Sequence, residues 1–272
     1  MRARLGLLLL GAAAPSCGGS PPASGAAAAR PPAEATWRAL EPGLELASFR
    51  GGVRVVRADP RRFAPRLCMA SAEGEPRTPR EWARTHGLAA VINAGMYAED
   101  GRTSVGLMRS AAHVNNPRLG RDRAVLAFEP LRAGTPAVRI IDRECDDFRA
   151  LSGRYGTLVQ GIRMLSCKGE NVWEPQPARA STSAIGLDAE GRLLLIHGQE
   201  RLSTHDLIEA LRGLPLGLRR ALYTEGGPQA QLYVRAGGEE VSVSGEPESS
   251  LLGAAAPLVE WPLPNVVGLA RN

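Results

Sequence analysis

The sequence predicts an α+β fold: one domain with an extensive mixed β-sheet core and a few flanking helices. Three observations carry that prediction. Short runs of strand length, either alternating or wholly apolar, recur along most of the chain. Only two segments carry both a helix start and a helix stop signal. Apolar residues make up 44% of the 272 residues, ample for one buried core and too many for a disordered chain.

At the N-terminus, Arg2 and Arg4 precede the apolar stretch LGLLLLGAAA, which ends in Pro15-Ser16-Cys17. A charged start, a short apolar run and a small-residue cleavage zone are the parts of an export signal, expected over residues 1–17. The run is shorter than the roughly 20 apolar residues a membrane-spanning helix needs. Cys17 stands where a bacterial lipoprotein carries its lipidated cysteine, so a lipid anchor in the cell envelope is expected, with plain secretion as the alternative. Residues 18–36 are almost all Gly, Ser, Pro and Ala. Such a composition builds no core and reads as a tether, able to reach roughly 60 Å when extended. The folded domain is expected over 37–272.

Within it, VRVVRA (53–58) alternates like a strand with one wet face. Thr78-Pro79-Arg80-Glu81 is a capping box with proline at the first helical position, and Gly87 stops the helix. LAAVINA (88–94), AVLAF (124–128), VRIID (138–142), TLVQ (157–160), SAIGL (183–187) and RLLLIH (192–197) read as strands. Asp188-Ala189-Glu190-Gly191 joins the last two as a hairpin turn. A second helix starts near Ser203 or Thr204, aligns Leu207, Ile208 and Leu211 on one face, and ends at Gly213. ALYT (221–224) and QLYVRA (231–236) are strands on either side of Glu225-Gly226-Gly227-Pro228.

The formal charge is +5, and Lys168 is the single lysine. Arginines scattered without a dense basic run or interleaved aromatics argue against a nucleic-acid partner. Walker, HExxH, GxSxG and GxGxxG signatures are missing from the sequence. His86, His113, His197 and His205 show no ligand spacing, and no CxxC occurs. No cofactor or metal is expected. His86 reads as a helix-end residue and His205 as part of a helix's first turn. An exported chain forms disulfides, and Cys145 with Cys167 is the preferred pair, leaving Cys68.

Chemistry is expected at strand ends. Asn93 leaves a strand, followed by Gly95 and Tyr97; Gln160 leaves another; Glu225 leaves a third, beside two glycines. Polar groups next to glycine at several strand ends are how a rigid sheet presents a site. These segments also form an ordered set: NAGMY (93–97), QGIRML (160–165), TSAIGLDAEGRLLLI (182–196) and ALYTEGGPQAQLYV (221–234). In this order they resemble the motifs of the phosphodiester glycosidase family, over roughly residues 53 to 235.

The resemblance implies hydrolysis of a sugar-1-phosphodiester, or of a related cell-envelope glycoconjugate, with a glycan or glycosyl phosphate as substrate. It implies that Glu225 is the catalytic carboxylate and that Asn93, Gln160, Gly226 and Gly227 share its pocket. Backbone N–H groups of the two glycines are expected on the phosphate. Gly95 and Tyr97 adjoin Asn93. Thr182 stands where the family has an arginine, Gln229-Ala230 where it has two serines, Glu225 where it has aspartate, and Arg163 where it has proline. Arg163 or Arg179 is expected to supply the missing guanidinium. These departures define an alternative, a non-catalytic relative that binds glycans or phosphoglycans at the surface.

Overall fold

A computed structural model describes residues 37–245 and 259–272. The expected export signal, Cys17 and the tether lie outside the described residues.

In chain order the elements are β1 (Arg38–Glu41), β2 (Leu44–Phe49), β3 (Val53–Ala58), β4 (Phe63–Met69), α1 (Ala70–Glu73), α2 (Pro79–His86), β5 (Leu88–Asn93), β6 (Met108–Arg109), β7 (Val114–Asn116) and β8 (Ala124–Pro130). They continue as β9 (Val138–Asp142), α3 (Phe148–Ser152), β10 (Tyr155–Arg163), β11 (Ala180–Asp188), β12 (Leu193–Leu202), α4 (Thr204–Gly213), β13 (Leu218–Gly226), a 3₁₀ turn (Gly227–Gln229), β14 (Gln231–Ala236), β15 (Glu239–Ser244) and β16 (Asn265–Arg271).

The larger sheet runs β1-β2-β3-β12-β11-β13-β10-β6-β7, with β8 attached to β10 and β9 to β8. The smaller runs β15-β14-β5-β16-β4. The α+β class holds, with one correction. The core is two sheets, and their strand pairings are antiparallel throughout the described residues rather than mixed. Hairpins such as β11–β12, turning at Asp188–Gly191, make antiparallel neighbours without the long crossovers that parallel strands need.

Alternation along the strands builds the layers. Ile185, Leu195 and Leu222 of the larger sheet pack against Ile92, Leu232 and Val267 of the smaller. The opposite face of the larger sheet, through Val55, Ala184 and Ile196, receives Leu207, Ile208 and Leu211 of α4. The outer face of the smaller sheet receives Trp82 of α2, whose indole N–H donates to the Leu263 carbonyl at 2.9 Å. Being covered on both sides, β5 is buried at all six positions, which explains its unbroken apolar run.

Both expected helix starts form. The Thr78 hydroxyl accepts from the Glu81 N–H and the Glu81 carboxylate accepts from the Thr78 N–H. Gly87 closes α2 in the left-handed region at φ 64°. The Ser203 hydroxyl accepts from the Asp206 N–H at the start of α4.

Candidate active site

The site is built where β11 and β13 lose register. Thr182 faces Gly226, Ser183 faces Glu225, and Ala184 faces Tyr223, so Thr224 is an extra residue on β13. Such a bulge bends a strand and re-aims its side chains. Here it brings both Tyr223 and Glu225 to the wall of a cavity of about 620 Å³. The 3₁₀ turn closes one side with Gly227, Pro228 and Gln229, and Thr182 adds a hydroxyl. Trp173 and Arg179, from the long irregular segment between β10 and β11, close another.

Glu225 is the one carboxylate among the described residues lining this cavity. Burial pushes its carboxyl up to about 7, against the opposing effect of the Gly226 N–H, which donates to Oε1 at 3.1 Å. The group therefore stands near half-protonation at neutral pH, where proton transfer in either direction is accessible. Tyr97 completes the surroundings: burial and then the Glu225 charge raise its pKa, while Gln229 hydrogen-bonds its hydroxyl. Tyr223 is raised by the same two causes. A single carboxylate gives the cavity no metal-ligand set.

The aromatic wall has its own support. The rings of Trp173 and Tyr223 lie 5.6 Å apart at 41°. The Trp173 indole N–H donates to the Arg163 carbonyl at 2.8 Å. A disulfide between Cys145 and Cys167, with Cα atoms 6.2 Å apart, ties down the chain shortly before Trp173. Arg179 sits at the rim, half exposed, 3.7 Å from the Asp206 carboxylate. An exposed pair at that distance is weak, so the guanidinium is available to an anion.

Gly226 is set by packing: a Cβ there collides with the Tyr223 hydroxyl. Gly226→Ala is expected to cost about 1–3 kcal/mol of stability and to displace Tyr223 from the wall. Thermal denaturation and tyrosine-to-tryptophan fluorescence transfer check this; wild-type stability with an unmoved Tyr223 refutes it.

The residues expected at the site therefore separate. Glu225, Thr182, Gly226, Gly227 and Gln229 share the cavity, and Tyr97 adjoins it. Asn93 does not line it; the residue is 2% exposed, its Oδ1 accepting from the Gln231 N–H at 3.4 Å. Gly95 stands near the Gln160 carbonyl and Met108, with room for a Cβ at ordinary contact distance.

Gln160 does not share the pocket, which corrects the expectation. Its Oε1 accepts from the N–H groups of Leu107 and Gly120, and its Nε2 donates to the carbonyls of Gly120 and Asp122. It clamps the loops around β6 and β7. Arg163 is a second correction. Its neighbour Ile162 lines the cavity, so strand alternation sends Arg163 to the other face. There it pairs with buried Asp142, which also receives Arg220. The Gly226 N–H is a third: it holds the Glu225 carboxylate, where a phosphate contact was expected. The expectations from sequence missed Trp173 and gave Tyr223 no role; no local signal marks either, because the two rings meet only through the fold.

The family model for phosphodiester glycosidases matches residues 86–270. The chain belongs to the phosphodiester glycosidase family. The matched span contains β5, the β11–β13 bulge and Glu225. Solved structures share the fold of this phosphodiester glycosidase family member. The catalytic domain of zebrafish N-acetylglucosamine-1-phosphodiester alpha-N-acetylglucosaminidase, auto-inhibited by its pro-peptide, is 15% identical with a TM-score of 0.61, covering 90% of this chain and 86% of that one. A Synechocystis protein is 16% identical with a TM-score of 0.55, over 88% of this chain and 61% of its own. A Burkholderia pseudomallei K96243 protein described as exported is 12% identical with a TM-score of 0.54, over 83% and 74%. No curated protein matches the chain in sequence.

Proposed function

We propose that the protein is an exported hydrolase that cleaves a sugar-1-phosphodiester or a related envelope glycoconjugate, with Glu225 as its catalytic group. The observation that carries this reading is a lone, buried carboxyl titrating near 7 beside an aromatic wall and a rim arginine. Breaking the bond between the anomeric carbon and the phosphate oxygen builds positive charge on the sugar ring. The leaving phosphate already carries negative charge and needs little protonation. Ionised Glu225 takes the proton from the attacking water, the new C–O bond forms, and the phosphate monoester leaves with the electron pair. Trp173 and Tyr223 offer flat apolar faces to the sugar, and Arg179 meets the phosphate.

The substitution of Thr182 for the family arginine gives a direct test. Thr182→Arg puts a guanidinium on the strand opposite Gly226, inside the cavity. Charge-assisted contacts to phosphate of about 1.5–3 kcal/mol raise kcat/KM on a glycosyl phosphodiester by about ten- to a hundredfold. No turnover by either protein on a panel of such diesters rejects the hydrolase.

A second reading, a phosphoglycan-binding relative without turnover, is favoured by one observation. Arg163 and Gln160 are committed elsewhere, leaving Arg179 as the cation among the described lining residues. Calorimetric binding of the same diesters without hydrolysis selects it.

A further inference from the structure

Between β4 and the end of α2, three side chains with no part in the cavity converge. Cys68 is on β4, Glu73 ends α1 and His86 ends α2, and one ligand atom of each lies within 4.8 Å of the other two. Glu73 Oε2 and His86 Nε2 are 2.9 Å apart. The His86 ring is stacked on Trp82, with centroids 5.8 Å apart and planes at 17°, so its nitrogen is aimed. Cys68 is fully buried and is the unbridged cysteine of the described residues. We propose that Cys68, Glu73 and His86 form a binding site for zinc(II) or a like borderline-soft divalent transition ion.

Thiolate, imidazole and carboxylate are the ligand types zinc takes, at about 2.0–2.3 Å. Around a tetrahedral centre such ligands stand about 3–4 Å apart, so the hydrogen-bonded Glu73–His86 pair opens slightly around the ion while Cys68 stays within reach of both. The fourth position falls to water, since Glu73 and His86 both reach the surface. Binding forms a sulfur–metal bond, and the thiol proton passes to solvent without change of oxidation state. Arg77 now pairs with Glu73 Oε2 at 3.0 Å and must give way. That pair is partly exposed, so displacing it costs little. The sequence does not announce the site because its ligands come from three elements brought together by the packing of α2 on the smaller sheet.

The test is a titration of the full chain with cobalt(II), followed by zinc(II). A thiolate-to-cobalt charge-transfer band is expected to saturate at one ion per chain and to be bleached by zinc. Zinc alone is expected to raise the melting temperature. Cys68→Ser should lose the band, and His86→Gln, at the accessible end of the site, should weaken affinity by more than about tenfold. Arg77→Gln should strengthen it by up to about fivefold. No thiolate band in wild type at excess cobalt overturns the proposal, as does a band or zinc stabilisation that survives both Cys68→Ser and His86→Gln. If Cys68→Ser does not fold, His86→Gln decides alone.

Discussion

Glu225→Gln is expected to lower turnover of a glycosyl phosphodiester by about 10²–10⁴-fold while making the protein more stable in alkali. Both effects come from one buried carboxyl. Its ordinary value of 4.5 is raised to about 7 in the fold. Between those values the folded protein binds more protons than the unfolded chain, so stability falls as pH rises from about 4.5 to about 7 and stays low above. The total loss is about 3 kcal/mol. Glutamine cannot ionise, so the variant should match wild type near pH 4 and exceed it by that amount at pH 8. The wild-type kcat/KM should rise with pH through about 7, because the ionised form takes the proton from water. Urea denaturation at the two pH values and a pH–rate profile measure these quantities. A variant with full activity, or one no more stable than wild type at pH 8, refutes the role of Glu225.

His197→Gln should have the opposite signature. His197 is fully buried on β12, and its Nε2 lies 3.0 Å from the Ala230 carbonyl. Burial pushes its pKa down from 6.5 to about 4; the Ala230 carbonyl opposes that shift and the Arg54 charge adds to it. The unfolded chain takes up a proton below about 6.5 that the fold refuses until about 4. Stability is therefore present above 6.5 and is lost as pH falls through that window, by about 3 kcal/mol. Glutamine keeps a donor for Ala230 and has no proton to gain. Between pH 4.5 and 6.5 the two residues act in opposite directions, so wild-type stability should be nearly level there. His197→Gln should leave a steady decline with rising pH, and Glu225→Gln a steady rise. Denaturation midpoints across pH 4 to 8 distinguish these curves; a His197→Gln curve parallel to wild type below pH 6.5 rejects the assignment.

What could be read from the sequence was local. The Thr78–Glu81 box, the Ser203 cap and the hairpin at Asp188–Gly191 all appear in the structure, because each depends on neighbours within a few residues, and β5 was legible from its unbroken apolar run. β4 and β16 passed unread. One contains Pro65, and the other contains Gly268, whose missing side chain makes room for Leu88 of β5. Those residues are explained only by partners distant in sequence. The candidate site divides in the same way. Glu225 and its glycines were legible as a motif. Gln160 and Arg163 were placed wrongly because position along a strand does not reveal the hydrogen bonds a side chain makes or the face it takes. Trp173 stands in an irregular segment, and its contacts with Arg163, His205 and Tyr223 bring it to the wall.

The place of β16 has a consequence in time. This strand lies between β4 and β5, pairing Asn265 with Met69 and Val266 with Asn93. The Asn265 carbonyl also receives the Ala94 N–H, at the start of the segment that carries Tyr97. A ribosome that has released everything up to Pro264 has therefore not yet supplied the middle of the smaller sheet. Closing so long a loop is slow. The growing chain should stay protease-sensitive and without a finished pocket until β16 has emerged to join β4 and β5.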